Sequence, residues 1–204
     1  MLLFYHFIVV ISESIKNNLI MDKELISIIE NCQKGRAEKF AYIYDAFIEK
    51  IYKFIYYKTG HRETAEDLTS QTFFKALEKI DTFKIHDNFS AWLYRIARNL
   101  VIDYYRTKKN NNDIDDVWDL SSKEDLELDI DNKNKILEIK KYLQNLKVEQ
   151  REIVIMRVWE GLTYKEIADI LGKNVGGVKM IFSRTISKLR KEMPLALFIA
   201  FLIN

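Results

Sequence analysis

A single proline, Pro194, and only six glycines punctuate 204 residues. Proline removes a backbone donor and glycine raises the entropic cost of order, so their scarcity lets helices run long. The residues that fill the chain instead, chiefly Lys, Glu, Ile and Leu, lean the same way. No stretch alternates apolar and polar residues as a half-buried strand would. The fold class that follows is all-α.

At 48% apolar and 30% charged residues, the composition excludes disorder, a collagen-like repeat and a disulfide scaffold. The length allows one domain or two small ones. Bases and acids nearly cancel, 32 against 30, so only their distribution is informative. Cys32 has no second cysteine to pair with, which fits a reducing cytosol.

Both ends are apolar. Residues 1–11, MLLFYHFIVVI, have the length of a signal-peptide core but lack a basic leader and an Ala-x-Ala site. They fall short of the ~20 apolar residues a spanning helix needs. Met21 opens a polar segment that reads as the native start, making residues 1–20 an extension. The tail at 194–204, PLALFIAFLIN, is also too short to span and reads as a packing tail or a frame artefact.

Between these ends lie two helical blocks. In the first, residues 21–109, Phe40, Tyr44, Phe47, Ile51 and Phe54 recur at helical spacing and Gly60 supplies a stop. Ala65, Leu68, Thr72, Phe73, Ala76 and Ile80 form the next apolar face. After a polar loop at Lys84 to Asn88, a third helix buries Leu93, Ile96, Ala97, Leu100 and Tyr104. A second stripe on that helix carries Trp92, Arg95, Asn99, Ile102 and Arg106, aromatic, basic and amide groups suited to unpaired bases and phosphate. A solvated face with Trp92 partly buried accounts for the same spacing.

Residues 110–132 hold nine acids and one lysine up to Asp131, a solvated linker by charge. Trp118, Leu120, Leu126 and Leu128 are interleaved with the acids, and such a strip also suits a basic groove on a partner.

The second block, residues 133–193, starts with Ile136, Ile139, Tyr142, Leu143 and Leu146, then Ile153, Met156 and Trp159, with a stop at Gly161. Thr163 and Glu166 form a capping box, Gly172 permits a left-handed corner, and Asn174 caps a further helix. That helix places Val178, Ile181, Phe182, Thr185 and Leu189 inward, with Ile186 at the edge, and Lys179, Met180, Ser183, Arg184, Ser187 and Lys191 outward. From Lys173 to Lys191 there are six bases and no acid. This is the pattern of a helix-turn-helix whose second helix enters the DNA major groove.

With the first block added, the chain resembles an extracytoplasmic-function sigma factor of the sigma-70 family over residues 34–192. AEDLTSQTFFKALEKI (65–80) and FSAWLYRIARNLVIDYYR (89–106) resemble the family's region two. LKVEQREIVIMRVWEGLTYKEIADILG (146–172), with the helix after it, resembles region four. The resemblance implies two small helical domains joined by the acidic linker. Core RNA polymerase, through its clamp helices and flap, and promoter DNA would be the partners. A membrane-bound anti-sigma factor is admitted as a further partner, and the cytoplasm is the implied location.

It also implies site roles. His86, Asp87, Asn88, Trp92, Arg95, Arg98, Asn99 and Arg106 would serve the minus-ten element, with Asn99 and the 84–88 loop holding a flipped-out base. Gly176, Lys179, Met180, Ser183, Arg184, Ser187 and Lys188 would serve the minus-thirty-five element. Glu66, Asp67, Gln71 and Phe74 would face polymerase. The chain departs from the family pattern at Gly177, where Thr is common, at Ile181 and Ile186, often Arg, and at Gln71, often Glu.

Enzyme chemistry finds no footing. His6, His61 and His86 are scattered, Cys32 lies outside any metal-ligand spacing, and Gly176–Gly177 lack the flanks of a phosphate loop. No metal or cofactor is expected. Two rival readings use the same residues: a helix-turn-helix regulator that does not act as a sigma factor, and a membrane-associated interaction protein using the apolar ends.

Overall fold

The computed structural model describes residues 23–108 and 130–203. Residues 1–20 and most of the acidic segment, and with them the readings placed there, lie outside the described residues. Nine α-helices and two short 3-10 turns make up the described chain, with no strand among them.

Helix α1 (23–33) leads into α2 (Phe40–Thr59), α3 (Arg62–Glu78) and α4 (Phe89–Lys108). Ile43, Ile51, Phe54 and Ile55 of α2 meet Leu68 and Phe73 of α3 and Leu93, Tyr94 and Ala97 of α4, all buried. Gly60, at φ 64°, takes the left-handed conformation and its N–H bonds Tyr56 O, which turns the chain sharply into α3. Gln33 ties α1 to the far side, its amide donating to the carbonyls of Ile80 and Phe83, both at 2.8 Å.

Two details differ from the sequence reading. Ile43 is fully buried and Tyr44 is exposed, its ring only leaning on Phe73 at 4.8 Å. The buried arc runs through Phe40 and Ile43, with the Phe40 ring 6.4 Å from that of Phe73 on α3. Ile80 is buried as expected, but in a 3-10 turn beyond the end of α3.

Helices α5 (Ile130–Gln144), α6 (Val148–Val158), α7 (Tyr164–Leu171), α8 (Val175–Glu192) and α9 (Leu195–Ile203) complete the described chain. Helix α5 begins at Ile130, so residues 130–132, read as linker, are helical.

Residues 151–156 of α6 are all buried, because this helix is packed on two sides. Its Ile153 and Met156 face the core shared with α2–α4, while Val154 and Ile155 face a second core with Ile139, Leu143, Leu189, Phe198 and Phe201. Only a helix apolar on opposite sides can bridge two cores. Helix α9 contributes Leu197, Phe198 and Phe201 to the second core, so the apolar tail packs. No helix among the described residues is long and apolar enough to cross a membrane.

Candidate nucleic-acid interface

The helix-turn-helix forms as its caps require. Thr163 Oγ1 accepts from the Glu166 N–H at 3.2 Å, and Glu166 Oε2 accepts from the Thr163 N–H at 2.7 Å. Gly172, at φ 65°, ends α7. Asn174 Oδ1 then accepts from the Gly177 N–H at 2.7 Å to start α8. A β-carbon at Gly177 would approach that Oδ1 to 3.2 Å, tighter than an ordinary contact. The glycine found in place of the family's Thr therefore leaves room for the Asn174 cap.

Val178, Thr185 and Leu189 turn α8 inward. Gly176, Lys179, Met180, Ser183, Arg184, Ser187 and Lys188 are all exposed. Lys188 lies 3.9 Å from Glu192, a loose surface pair. The outward row is therefore basic, polar and largely unspent, with Met180 49% exposed.

On α3, Glu66, Asp67, Gln71 and Phe74 are all exposed. Phe74 is 63% exposed, an uncommon position for so large an apolar ring. Glu66 pairs with Arg62 at 2.8 Å. The four residues share one face, away from the Leu68–Thr72 side that packs inward.

The stripe on α4 divides into two parts. Asn99 and Arg106 are exposed, and Arg106 lies 3.6 Å from Asp103. Trp92 is half-buried, its ring 5.3 Å from Phe83 and 5.4 Å from Phe89. His86 and Asp87 are exposed neighbours 3.7 Å apart. Asn88 is the start of α4: its Oδ1 accepts from the Ala91 N–H at 2.8 Å.

The remaining residues of the stripe meet α6 and α7. Arg95 donates to the Asp169 carbonyl at 2.8 Å, and Asn88 Nδ2 to Glu166 Oε1 at 3.4 Å. Arg98 clasps Glu152 of α6, Nη2 to Oε2 at 3.1 Å and Nε to Oε1 at 3.2 Å. The other side of the Glu152 carboxylate is taken by the Lys58 ammonium of α2. Burial pushes the Glu152 carboxyl up, but Lys58 and Arg98 outweigh it and hold it below the usual range. Burial also draws Lys58 below the ordinary lysine value.

Sequence reasoning did not single out Lys58, Glu152, Tyr94 or Glu160. One signal existed: Phe47, Ile51, Phe54 and Lys58 continue a single three–four spacing, so Lys58 falls on the buried stripe. A lysine in that phase needs an acidic partner, and the sequence does not say which acid meets it.

Comparisons with known proteins agree with this geometry. The Sigma-70 region 2 family matches residues 43–111, and the Sigma-70, region 4 family matches residues 136–189. The chain is 34% identical to the ECF RNA polymerase sigma factor BldN of Streptomyces coelicolor, over 83% of this chain and 66% of that one. It is 32% identical to the ECF RNA polymerase sigma factor SigW of Bacillus subtilis, over 81% of this chain and 94% of that one. Among solved structures, RpoE of Bartonella quintana in complex with the anti-sigma factor NepR has a TM-score of 0.60 at 25% identity, covering 76% of this chain and 96% of that one. CnrH in complex with the cytosolic domain of CnrY has a TM-score of 0.64 at 19% identity, covering 82% and 95%, a likeness of fold. An outward basic row behind a capped helix-turn-helix, an α-helical core spanning the region two match, and these relatives lead to one conclusion: the chain belongs to the extracytoplasmic-function sigma factors of the sigma-70 family and is an RNA polymerase sigma factor.

Proposed function

We propose that residues 21–109 form the region that binds core polymerase and the minus-ten element, and that residues 133–193 form the region that binds the minus-thirty-five element. The acidic segment at 110–132 would tether the two, with residues 1–20 and 194–204 as flanking additions. The observation that carries the reading is the outward row Lys179, Met180, Ser183, Arg184 and Ser187 on α8, exposed and free of core duty. Bases and short polar groups on one helical face meet phosphates and base edges in the major groove.

Polymerase would dock on the α3 face of Glu66, Asp67, Gln71 and Phe74. Acidic groups around one exposed aromatic anchor are the chemistry of a protein interface with a basic rim. Asn99 supplies an amide donor and a carbonyl acceptor to one base edge, with Arg106 two turns on for the backbone. Flipping a base costs a few kcal/mol, which such contacts offset. The chain would supply no catalytic group, polymerase performing the chemistry in the cytoplasm. RpoE and CnrH were solved with partner proteins, and this supports an anti-sigma factor as a partner here as well.

Run-off transcription with core polymerase on genomic fragments, the gene's own promoter included, tests the reading. Chain-dependent initiation is expected, and its absence on every fragment overturns it. Asn99→Ala should spare core binding and reduce permanganate-reactive open complex on duplex promoter. The loss should be smaller on a template already mismatched at the minus-ten element. Equal opening by mutant and wild type would return Asn99 to a solvated face.

A further inference from the structure

Helix α9 is apolar on every side, and the core uses only one of them. Leu197, Phe198 and Phe201 are buried. At ~100° per residue these three fill one arc of the helix, and Leu195, Ile199, Leu202 and Ile203 fill the opposite arc. Leu195 is 72% and Ile203 79% exposed, with Ile199 and Leu202 nearly half exposed. No polar or charged residue interrupts the helix between Leu195 and Ile203. A helix on the surface of a globular domain turns polar groups outward, so packing against α5 and α6 leaves the outer four unexplained. At nine residues α9 is also far too short to span a bilayer.

The first turn of this strip has a basic rim. Lys188, Arg190 and Lys191 are exposed on the last turns of α8, with Glu192 the one acid beside them, 3.9 Å from Lys188. Pro194, just ahead of α9, borders an open hollow with Glu138, Lys141, Tyr142 and Asn145 of α5, and Lys141 is exposed there. Four bases against two acids thus stand at one end of an uncharged aliphatic strip. From this we infer that the outer strip of α9 docks on an anionic lipid surface. The helix lies flat there, with Leu195, Ile199, Leu202 and Ile203 at the acyl boundary and the rim among the headgroups. The strip itself carries none of the residues assigned to promoter or polymerase.

A protein partner fits this strip less well. Stable protein interfaces use about 20–30 residues a side, and α9 offers four side chains. A lipid surface asks for no matching shape, only aliphatic groups beside positive charge. Each attraction is weak alone, so the two together give reversible, salt-sensitive binding rather than a permanent anchor.

The test sediments the full chain with vesicles of phosphatidylcholine, alone or with about one-third anionic phosphatidylglycerol. Wild type should pellet with the anionic vesicles, and added salt should release much of it. Ile199→Asn/Leu202→Asn should weaken that binding about tenfold or more, because two aliphatic side chains no longer enter the acyl boundary. Leu195→Asn/Ile203→Asn, at the two most exposed positions, should do the same and takes over if urea unfolding shows the first pair misfolded. Residues 1–11 are apolar too, so substitutions confined to α9 are what assign the binding. Wild-type binding in both folded variants overturns the proposal, as does a wild type that fails to pellet. Equal binding to both vesicle types overturns an anionic surface as the occupant. A dimer that both variants abolish, without vesicle binding, overturns it in favour of a second copy. Run-off transcription with core polymerase should match wild type in both variants, so the sigma-factor reading is scored separately. Lost initiation without vesicle binding hands the strip to polymerase and overturns the lipid surface.

Discussion

The Tyr94 hydroxyl of α4 donates to Glu160 Oε2, 66 residues away, at 3.0 Å. The bond joins the two halves of the chain, and it leaves Glu160 Oε1 buried without a hydrogen-bond partner among the described residues. A carboxyl so placed favours its protonated form. Burial lifts it to about 7, against the smaller downward pull of the Tyr94 bond and of Lys53 and Lys50 on α2. Tyr57, also on α2, is raised by burial and by Glu160 itself.

This sets a pH dependence with a definite sign. The folded state holds the Glu160 proton more tightly than solvent-exposed glutamate does. Its contribution to stability is therefore complete below about 4.5 and is lost as pH rises through about 7. The full effect, from 4.5 to about 7 at ~1.4 kcal/mol per pH unit, is on the order of 3–4 kcal/mol. Thermal unfolding of wild type and Glu160→Gln at pH 5.5 and pH 8 checks it. The wild type should lose several degrees relative to the variant on going to pH 8, roughly 5 °C for a chain of this size. Parallel behaviour of the two proteins would remove Glu160 as the titrating group.

The tail helix α9 supports the region four core. Phe201 is fully buried, its ring 5.9 Å from Trp159, and its carbonyl accepts from Trp159 Nε1 at 3.3 Å. Phe201→Ala should cost about 3–5 kcal/mol in urea unfolding. Leu202→Ala, at an exposed neighbour, should stay within about 0.5 kcal/mol. Similar costs at the two positions would mean that α9 is not seated as described.

The α3 face separates binding from folding. Because Asp67 and Phe74 are exposed, Asp67→Lys and Phe74→Ala should change stability by less than about 0.5 kcal/mol. Each should weaken core polymerase binding by about 1–2 kcal/mol, as loss of an interface anchor does. Surface plasmon resonance against core enzyme, with unfolding curves beside it, gives both numbers. Wild-type affinity in both variants would move the docking face elsewhere.

Arg184 tests the recognition helix. Exposed on α8 beside Lys188, it should contribute about 1–3 kcal/mol at the cognate minus-thirty-five site. Binding of Arg184→Ala to promoter and to shuffled duplex distinguishes its role. A loss confined to promoter DNA marks a base contact, equal losses mark a phosphate contact, and no loss takes Arg184 out of the interface.

Much of this was legible before any coordinates. The three–four spacing of Ala65, Leu68, Thr72 and Ala76, and of Leu93, Ala97 and Leu100, determined which helical faces are buried. The Thr163–Glu166 box, Gly172 and Asn174 determined where α7 and α8 begin and end, because caps are satisfied within three or four residues. The outward rows of α3 and α8 followed from the same periodicity. All of these are local: the information lies within a turn or two of the residue concerned.

Tertiary structure alone decided which long-range partners meet. Lys58 and Glu152 stand 94 residues apart, and either could have paired with many other charges. Arg95 and Arg98 lie on or beside a stripe that periodicity marks as solvent-facing, yet Arg95 reaches the Asp169 carbonyl of α7 and Arg98 clasps Glu152 of α6. Periodicity distinguishes inside from outside for one helix. It carries nothing about a second domain arriving on the outer face, since that depends on shape and charge summed over α2, α4, α6 and α7 together. The junction between the halves belongs to the packed molecule.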